Sequence, residues 1–195
     1  LERVEARLAD LLCSGLDPKE DWPLDAEAIE ENDGDDAQTR FLHAATNLIN
    51  RQGYTGASVE KIAAELGVST GSFYHHLENK DDLVIACFNR SFALVERAQE
   101  RAAARNESSA ARLGRMAASL IRLQFTGRSP LLRTSAYQVL PIGLRSRMLG
   151  RTAQATQHVA GTIADGIGEG SIRPVDPAIA AHMVMATINA TADLR

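Results

Sequence analysis

Residues 58–80 read SVEKIAAELGVSTGSFYHHLENK, two short helical patterns on either side of Gly67. In the first, Ile62, Ala63 and Leu66 recur at helical spacing and form an inner face. Gly67 falls where the chain must turn sharply, a position that favours positive φ and a residue without Cβ. Val68 plugs the turn from inside, and the Ser69 hydroxyl is placed to cap the second helix. Ala63 lies four residues before Gly67, small enough to let the two helices cross closely. The pattern predicts a helix-turn-helix, whose second helix enters a DNA major groove.

The second helix carries the distinguishing surface. Phe73 and Leu77 are spaced to point inward, which leaves Thr70, Ser72, Tyr74 and His75 outside. Hydroxyls and Tyr bind phosphate oxygens, while Thr methyls and His edges read bases. Lys80 opens the next helix, where a cation and free N–H groups suit a phosphate. Taken singly, Tyr74 also fits packing and His75–His76 a solvated pair. Together with Ser58, Gly67, Ser69 and Lys80 they fit a DNA reader.

Residues 39–84, TRFLHAATNLINRQGYTGASVEKIAAELGVSTGSFYHHLENKDDLV, resemble the N-terminal DNA-binding domain of the TetR family of transcriptional regulators. The resemblance rests on Ala44-Ala45, Gly53-Tyr54, Ser58-Val59, Ile62-Ala63, Gly67-Val68-Ser69, Gly71-Ser72, Tyr74, His76, Lys80 and Leu83, in order and without gaps. Leu77 stands where an aromatic is usual, and Ser72 where Thr is common. The resemblance implies a homodimer that binds a pseudo-palindromic operator and responds to a small-molecule effector. It implies DNA contacts by Ser58, Ser69, Thr70, Ser72, Tyr74, His75 and Lys80, close backbone approach at Gly71, and a structural role for His76. Repression is expected over activation on family grounds alone.

Outward from this stretch the chain reads as helix almost throughout. Phe41, Leu42, Ala45, Leu48 and Ile49 make one stripe over Thr39–Gln52, closed by Gly53. Asn79 caps a helix to about Arg105, with Asp81 and Asp82 at the positive end of its dipole. Ser108 or Ser109 opens another to about Thr126. Pro130 is expected to start a short helix to about Val139, and a longer one to run from Ile142 to Gly168, loosened at Gly150. Asp176 and Pro177 open the last. No segment alternates like a strand, so the expected fold is all-α. A three-helix, homeodomain-like reader over 38–84 would be followed by a helical-bundle ligand-binding and dimerisation domain over 85–195.

The N-terminal residues 1–37 differ in kind. They hold three basic and thirteen acidic residues, a net −10, whereas the remainder carries +6, so the overall −4 says little about partners. Leu1, Val4, Leu8, Leu11 and Leu12 trace a helical stripe; residues 17–37, with Pro18, Pro23 and Gly34, read as a linker. Three readings stay open: a solvated tail, which is favoured, a competitor with phosphate for the cationic body, or the remnant of a preceding domain. The chain begins at Leu1 rather than Met, which leaves a missing or trimmed N-terminal stretch open.

The C-terminal half offers two sets of candidates. Phe88, Phe92, Met116, Leu120, Phe125, Tyr137 and Met148 are its bulky central residues, with Gln124, Gln138 and His158 as polar companions. A pocket built from them would take an apolar or aromatic effector. Val159, Ile163 and Ile167, with Ile179, Met183, Val184 and Ile188, cover enough of the last two helices to suggest a four-helix dimer interface. Cys13 and Cys87 lack metal-ligand spacing, which points to reduced thiols and a soluble cytoplasmic protein without metal or other cofactor. No Gly-rich phosphate loop, Ser-His-Asp set, CxxC or Glu-xx-His pair is present, so no catalytic residue is expected. The rival reading is a helical adaptor that keeps the fold without binding DNA.

Overall fold

The computed structural model describes residues 11, 14–16, 37–67, 69, 71, 79–126, 130–133, 136 and 140–194. Every regular element among them is helical: α1 (Ala37–Gly56), α2 (Val59–Leu66), α3 (Lys80–Ala103), α4 (Ser109–Thr126), α5 (Ile142–Glu169), α6 (Pro177–Ala190) and a terminal 3-10 turn (Thr191–Leu194). None is long and apolar enough to cross a membrane.

The helix boundaries follow from capping chemistry. Ser58 accepts from the Lys61 amide at 3.3 Å and starts α2, while Gly67, at φ 66°, turns its N–H back onto the end of that helix. Asn79 accepts from Asp82 N at 3.0 Å at the head of α3. Ser108 caps α4 through Ala111 N at 3.2 Å. Asp176 takes the amides of Ala178 and Ile179, both at 3.1 Å, with Pro177 at the first helical position of α6. Gly53 closes the regular part of α1 by adopting φ 71°, ψ 173°, a conformation open in practice only to glycine. Helix α5 passes Gly150 without a break.

Where the expected 130–139 helix is described, at 130–133, the chain is not helical. The amides go to side chains instead: Leu131 N to Gln124 Oε1 at 3.2 Å, Leu132 N to Ser91 Oγ at 2.9 Å, and Arg133 N to Asn50 Oδ1 at 2.9 Å. With these donors satisfied from outside, the segment has no need of an i to i+4 ladder. Ala136 forms part of a 3-10 turn, and Tyr137, Gln138 and Val139 lie outside the described residues.

Two hydrophobic cores share helix α3. The first gathers Phe41, Ala45, Leu48, Ile49 and Ile62 with Leu83, Val84, Cys87 and Phe88 of α3, and takes in Leu132, Leu140 and Met148. The second joins Leu94, Val95, Ala98 and Ala102 of α3 to Leu113, Met116 and Leu120 of α4, Val159 and Ile163 of α5, and Ile188 of α6. The thiol of Cys87 is wholly enclosed in the first core, and burial pushes it up to about 11.

Of the four described residues in 11–16, Ser14 and Gly15 are exposed, whereas Leu11 and Leu16 pack on the bundle. Leu11 is only 6% exposed and belongs to the second core, with Leu16 packed against that core. Arg173 anchors the segment, donating from its backbone to Leu16 O at 3.3 Å and from Nε to Gly15 O at 3.0 Å.

The turn from α5 into α6 is equally specified. An ideal Cβ at Gly166 would stand 2.6 Å from Ile172 Cδ1 and 2.8 Å from its Cγ1, and Ile172 is itself buried. Glu169 accepts from the Ser109 amide and from Ser171 Oγ, the latter at 2.6 Å, and ties the end of α5 to the start of α4. These bonds, that of Ser171 first, hold its carboxyl below the usual carboxylate range.

Two outcomes are expected. Gly166→Ala should cost about 1–3 kcal/mol in urea denaturation, since a packed isoleucine would have to give way. Glu169 favours folding when ionised, so its contribution is present above its unfolded pKa and disappears as pH falls through the lower folded value. Glu169→Gln should therefore be less stable than the parent near neutral pH and converge with it in acid, as read by thermal melts from pH 7 to pH 3.

Candidate nucleic-acid interface

Helix α1 backs the reader. Its buried stripe supports α2 through Val59 and Ile62 in the first core, and the turn at Gly67 leads into the recognition segment. Of the eight residues expected at DNA, Ser58, Ser69, Gly71 and Lys80 are described; Thr70, Ser72, Tyr74 and His75 lie outside the described residues, as do Val68, Phe73, His76 and Leu77. Ser69 and Gly71 are exposed. Ser58 is half-buried and its hydroxyl is the α2 cap, a structural duty that the motif did not reveal.

Lys80 sits at the first position of α3, with its ammonium 4.2 Å from the centroid of the Tyr54 ring. The Tyr54 hydroxyl donates to Asp81, and burial together with that bond pushes the phenol up to about 12. Burial lowers the Lys80 ammonium while the neighbouring Asp81 and Glu60 carboxylates raise it, with a net shift downward. Of the first-turn α3 amides, that of Asp82 is taken by the Asn79 side chain. Tyr54 thus holds Lys80 beside α1. Its adjacency to Gly53 was the available signal, but spacing alone assigned it no role.

The reader is joined to the bundle by a polar junction. Asn50 of α1 donates to Leu131 O at 2.9 Å and accepts from Arg133 N. Arg90 of α3 donates to Pro130 O at 3.2 Å and stands 2.6 Å from His43 Nε2 of α1. Sequence reading missed Asn50 and Arg90, because a polar residue bordering an apolar stripe looks solvated until its partner 40 or 80 positions away is known.

Most of the described residues of the expected ligand set divide between the two cores. Phe88, Phe92 and Met148 lie in the first core, and Met116 and Leu120 in the second. Phe125 is 46% exposed, a departure from its expected central place, because it lies on the solvent side of the α4 end. Gln124 is buried, but its amide is spent on Leu131 N and on Ile188 O at 3.4 Å. Met116 and His158 line a cavity of about 30 Å³, room for a water and no effector.

Three of the expected interface residues lie inside the protomer. Val159, Ile163 and Ile188 are at most 1% exposed and fill the protomer's own core, so they have no surface to offer a second copy. Ile167, Ile179, Met183 and Val184 are half-buried.

Comparison with known proteins places this geometry. Residues 41–87 match the family described as bacterial regulatory proteins, tetR family. The Transposon Tn10 TetC protein of Escherichia coli is 31% identical over 56 residues, which is 29% of this chain and 28% of that protein. The chain spans under a third of the length of the curated relatives it matches. In fold, the crystal structure of apo AibR superposes with a TM-score of 0.68 at 25% identity, covering 80% of this chain and 86% of the other. AibR in complex with isovaleryl coenzyme A and operator DNA gives a TM-score of 0.65 at 23% identity, over 78% and 84%. In its residues 41–87 the chain is similar to the TetR family of bacterial regulators, and in fold the helical chain is similar to AibR.

Proposed function

We propose that this chain is a DNA-binding transcriptional regulator, a ligand-responsive repressor that binds a palindromic operator as a homodimer and is released by a small apolar effector. The observation that carries the reading is the reader itself: Ser58-capped α2, the left-handed Gly67 turn and Lys80 held over Tyr54. The AibR complex, with both an acyl-coenzyme A and operator DNA on the same fold, supports the pairing of effector and DNA.

In this reading Lys80 and Ser69 grip phosphate, while Thr70, Ser72, Tyr74 and His75 meet base edges and backbone, and Gly71 lets the helix approach closely. Two copies would pair through the outer faces of α5 and α6; on α6, Ala178, His182 and Ala186 are exposed. Their recognition helices would then enter major grooves about 34–36 Å apart. Helix α3, shared by both cores, would carry a rearrangement of the bundle to the reader. The effector acts only through its differential affinity for the two arrangements.

Selection from random duplexes should return an inverted repeat with half-sites one or more helical turns apart; a chain that never enriches any sequence is the adaptor instead. On the selected site, Lys80→Ala should weaken binding about equally for all sequences and reduce the salt slope by about one. Thr70→Ala and His75→Ala should each cost about 1–3 kcal/mol on the selected site and relax the sequence preference at one position, as measured by competition gel shift.

A further inference from the structure

An apolar concavity lies away from the bulky aromatics of the first core. It lies between α4, α6 and the N-terminal segment, holds about 250 Å³, and is walled by Leu11 and Leu16, Ile121, Met183, Val184 and Ile188. None of its described lining residues is ionisable. Its polar groups are already committed: Thr187 Oγ1 donates to Met183 O at 2.8 Å, and Gly15 O and Leu16 O accept from Arg173. Such walls offer an entering water few partners and no free donor from Thr187, which favours an organic guest. An apolar cavity of about 150 Å³ accommodates benzene, so this one at similar packing takes about ten carbon atoms.

The cavity is wired to the reader. Ile188, one of its walls, gives its carbonyl to Gln124 Nε2, and Gln124 Oε1 accepts from Leu131 N. The Leu131 carbonyl in turn accepts from Asn50 on α1. Gln124 has one amide and two buried partners, so a displacement of α6 at Ile188 cannot leave the Leu131 bond as it was. We propose that this cavity, closed on one side by the N-terminal segment, binds an uncharged aliphatic group, and that Gln124 passes its occupancy to the reader through Leu131 and Asn50. The second half of the proposal rests on the regulator reading above; the binding site itself does not.

The probe is 1-octanol, applied to the full chain, with 1,8-octanediol as the control. Octanol should raise the melting temperature in a saturable way. The diol should bind at least tenfold more weakly, because one hydroxyl would be buried without a partner. Val184→Trp, which fills the space, should remove the octanol response; Ile121→Phe serves the same purpose if the first variant does not fold. The side-chain amide resonance of Asn50 should shift with octanol in the parent chain and stay in place in Gln124→Met, which still binds octanol. Operator affinity should fall at least tenfold with octanol in the parent and by less than twofold in Gln124→Met. No octanol response, an undiminished response in the filled variants, or equal binding of the diol would overturn the site. An Asn50 shift that survives in Gln124→Met would overturn the relay. If no DNA is bound at all while octanol still moves Asn50, the regulator reading fails and the site stands.

Discussion

Backbone that is neither helix nor sheet, placed inside a helical protein, must find hydrogen-bond partners or pay several kilocalories for each orphaned group. At Pro130–Arg133 that constraint organises the molecule. Asn50, Ser91, Arg90 and Gln124 each reach this one stretch from α1, α3 and α4. Elements far apart in sequence are thereby held in register by a few directional bonds, where apolar contact alone would let them slide. The segment joins the first core through Leu132 and the second through Leu131, so it is a seam between two hydrophobic bodies.

Helix α3 is the other member common to both. Its first half is buried with α1 and α2, and its second half with α4 and α5. At 24 residues it is about 36 Å long, a rod stiff enough that neither core can tilt without the other feeling it. Near the point where the cores divide, Arg151 of α5 stacks 4.5 Å from the Phe92 centroid and bonds Asn89 and Glu96. The rod and the seam thus run in parallel from bundle to reader, one through packing and one through hydrogen bonds.

Much of this was legible in the sequence, for local reasons. Ser108, Asn79 and Asp176 announce helix starts because capping depends on residues two or three positions away, and Gly67 announces a turn because its φ is positive. The 130–139 stretch misled because Pro130 is a good helix opener, while the partners that straighten Leu131–Arg133 come from other helices. The faces of α5 and α6 misled for a related reason: an apolar stripe says that a side is covered, not by what. Val159, Ile163 and Ile188 turn out to be covered by their own chain. Leu11 shows the same ambiguity inverted, a stripe read as a solvated tail that finds its cover on the bundle. In the site, glycines and capping hydroxyls were readable, whereas the Tyr54–Asp81 bond and the Lys80–Tyr54 stacking depend on tertiary approach over some 27 residues.

The enclosed sulfur of Cys87 has a practical corollary. A thiol pushed up to about 11, sealed among Leu83, Val84 and Phe88, presents neither thiolate nor access to a reagent in solution. Alkylation at that position can proceed only during excursions in which α1 separates from the first half of α3. The pace of its modification is therefore a clock for how often the reader loosens from the rod that steers it.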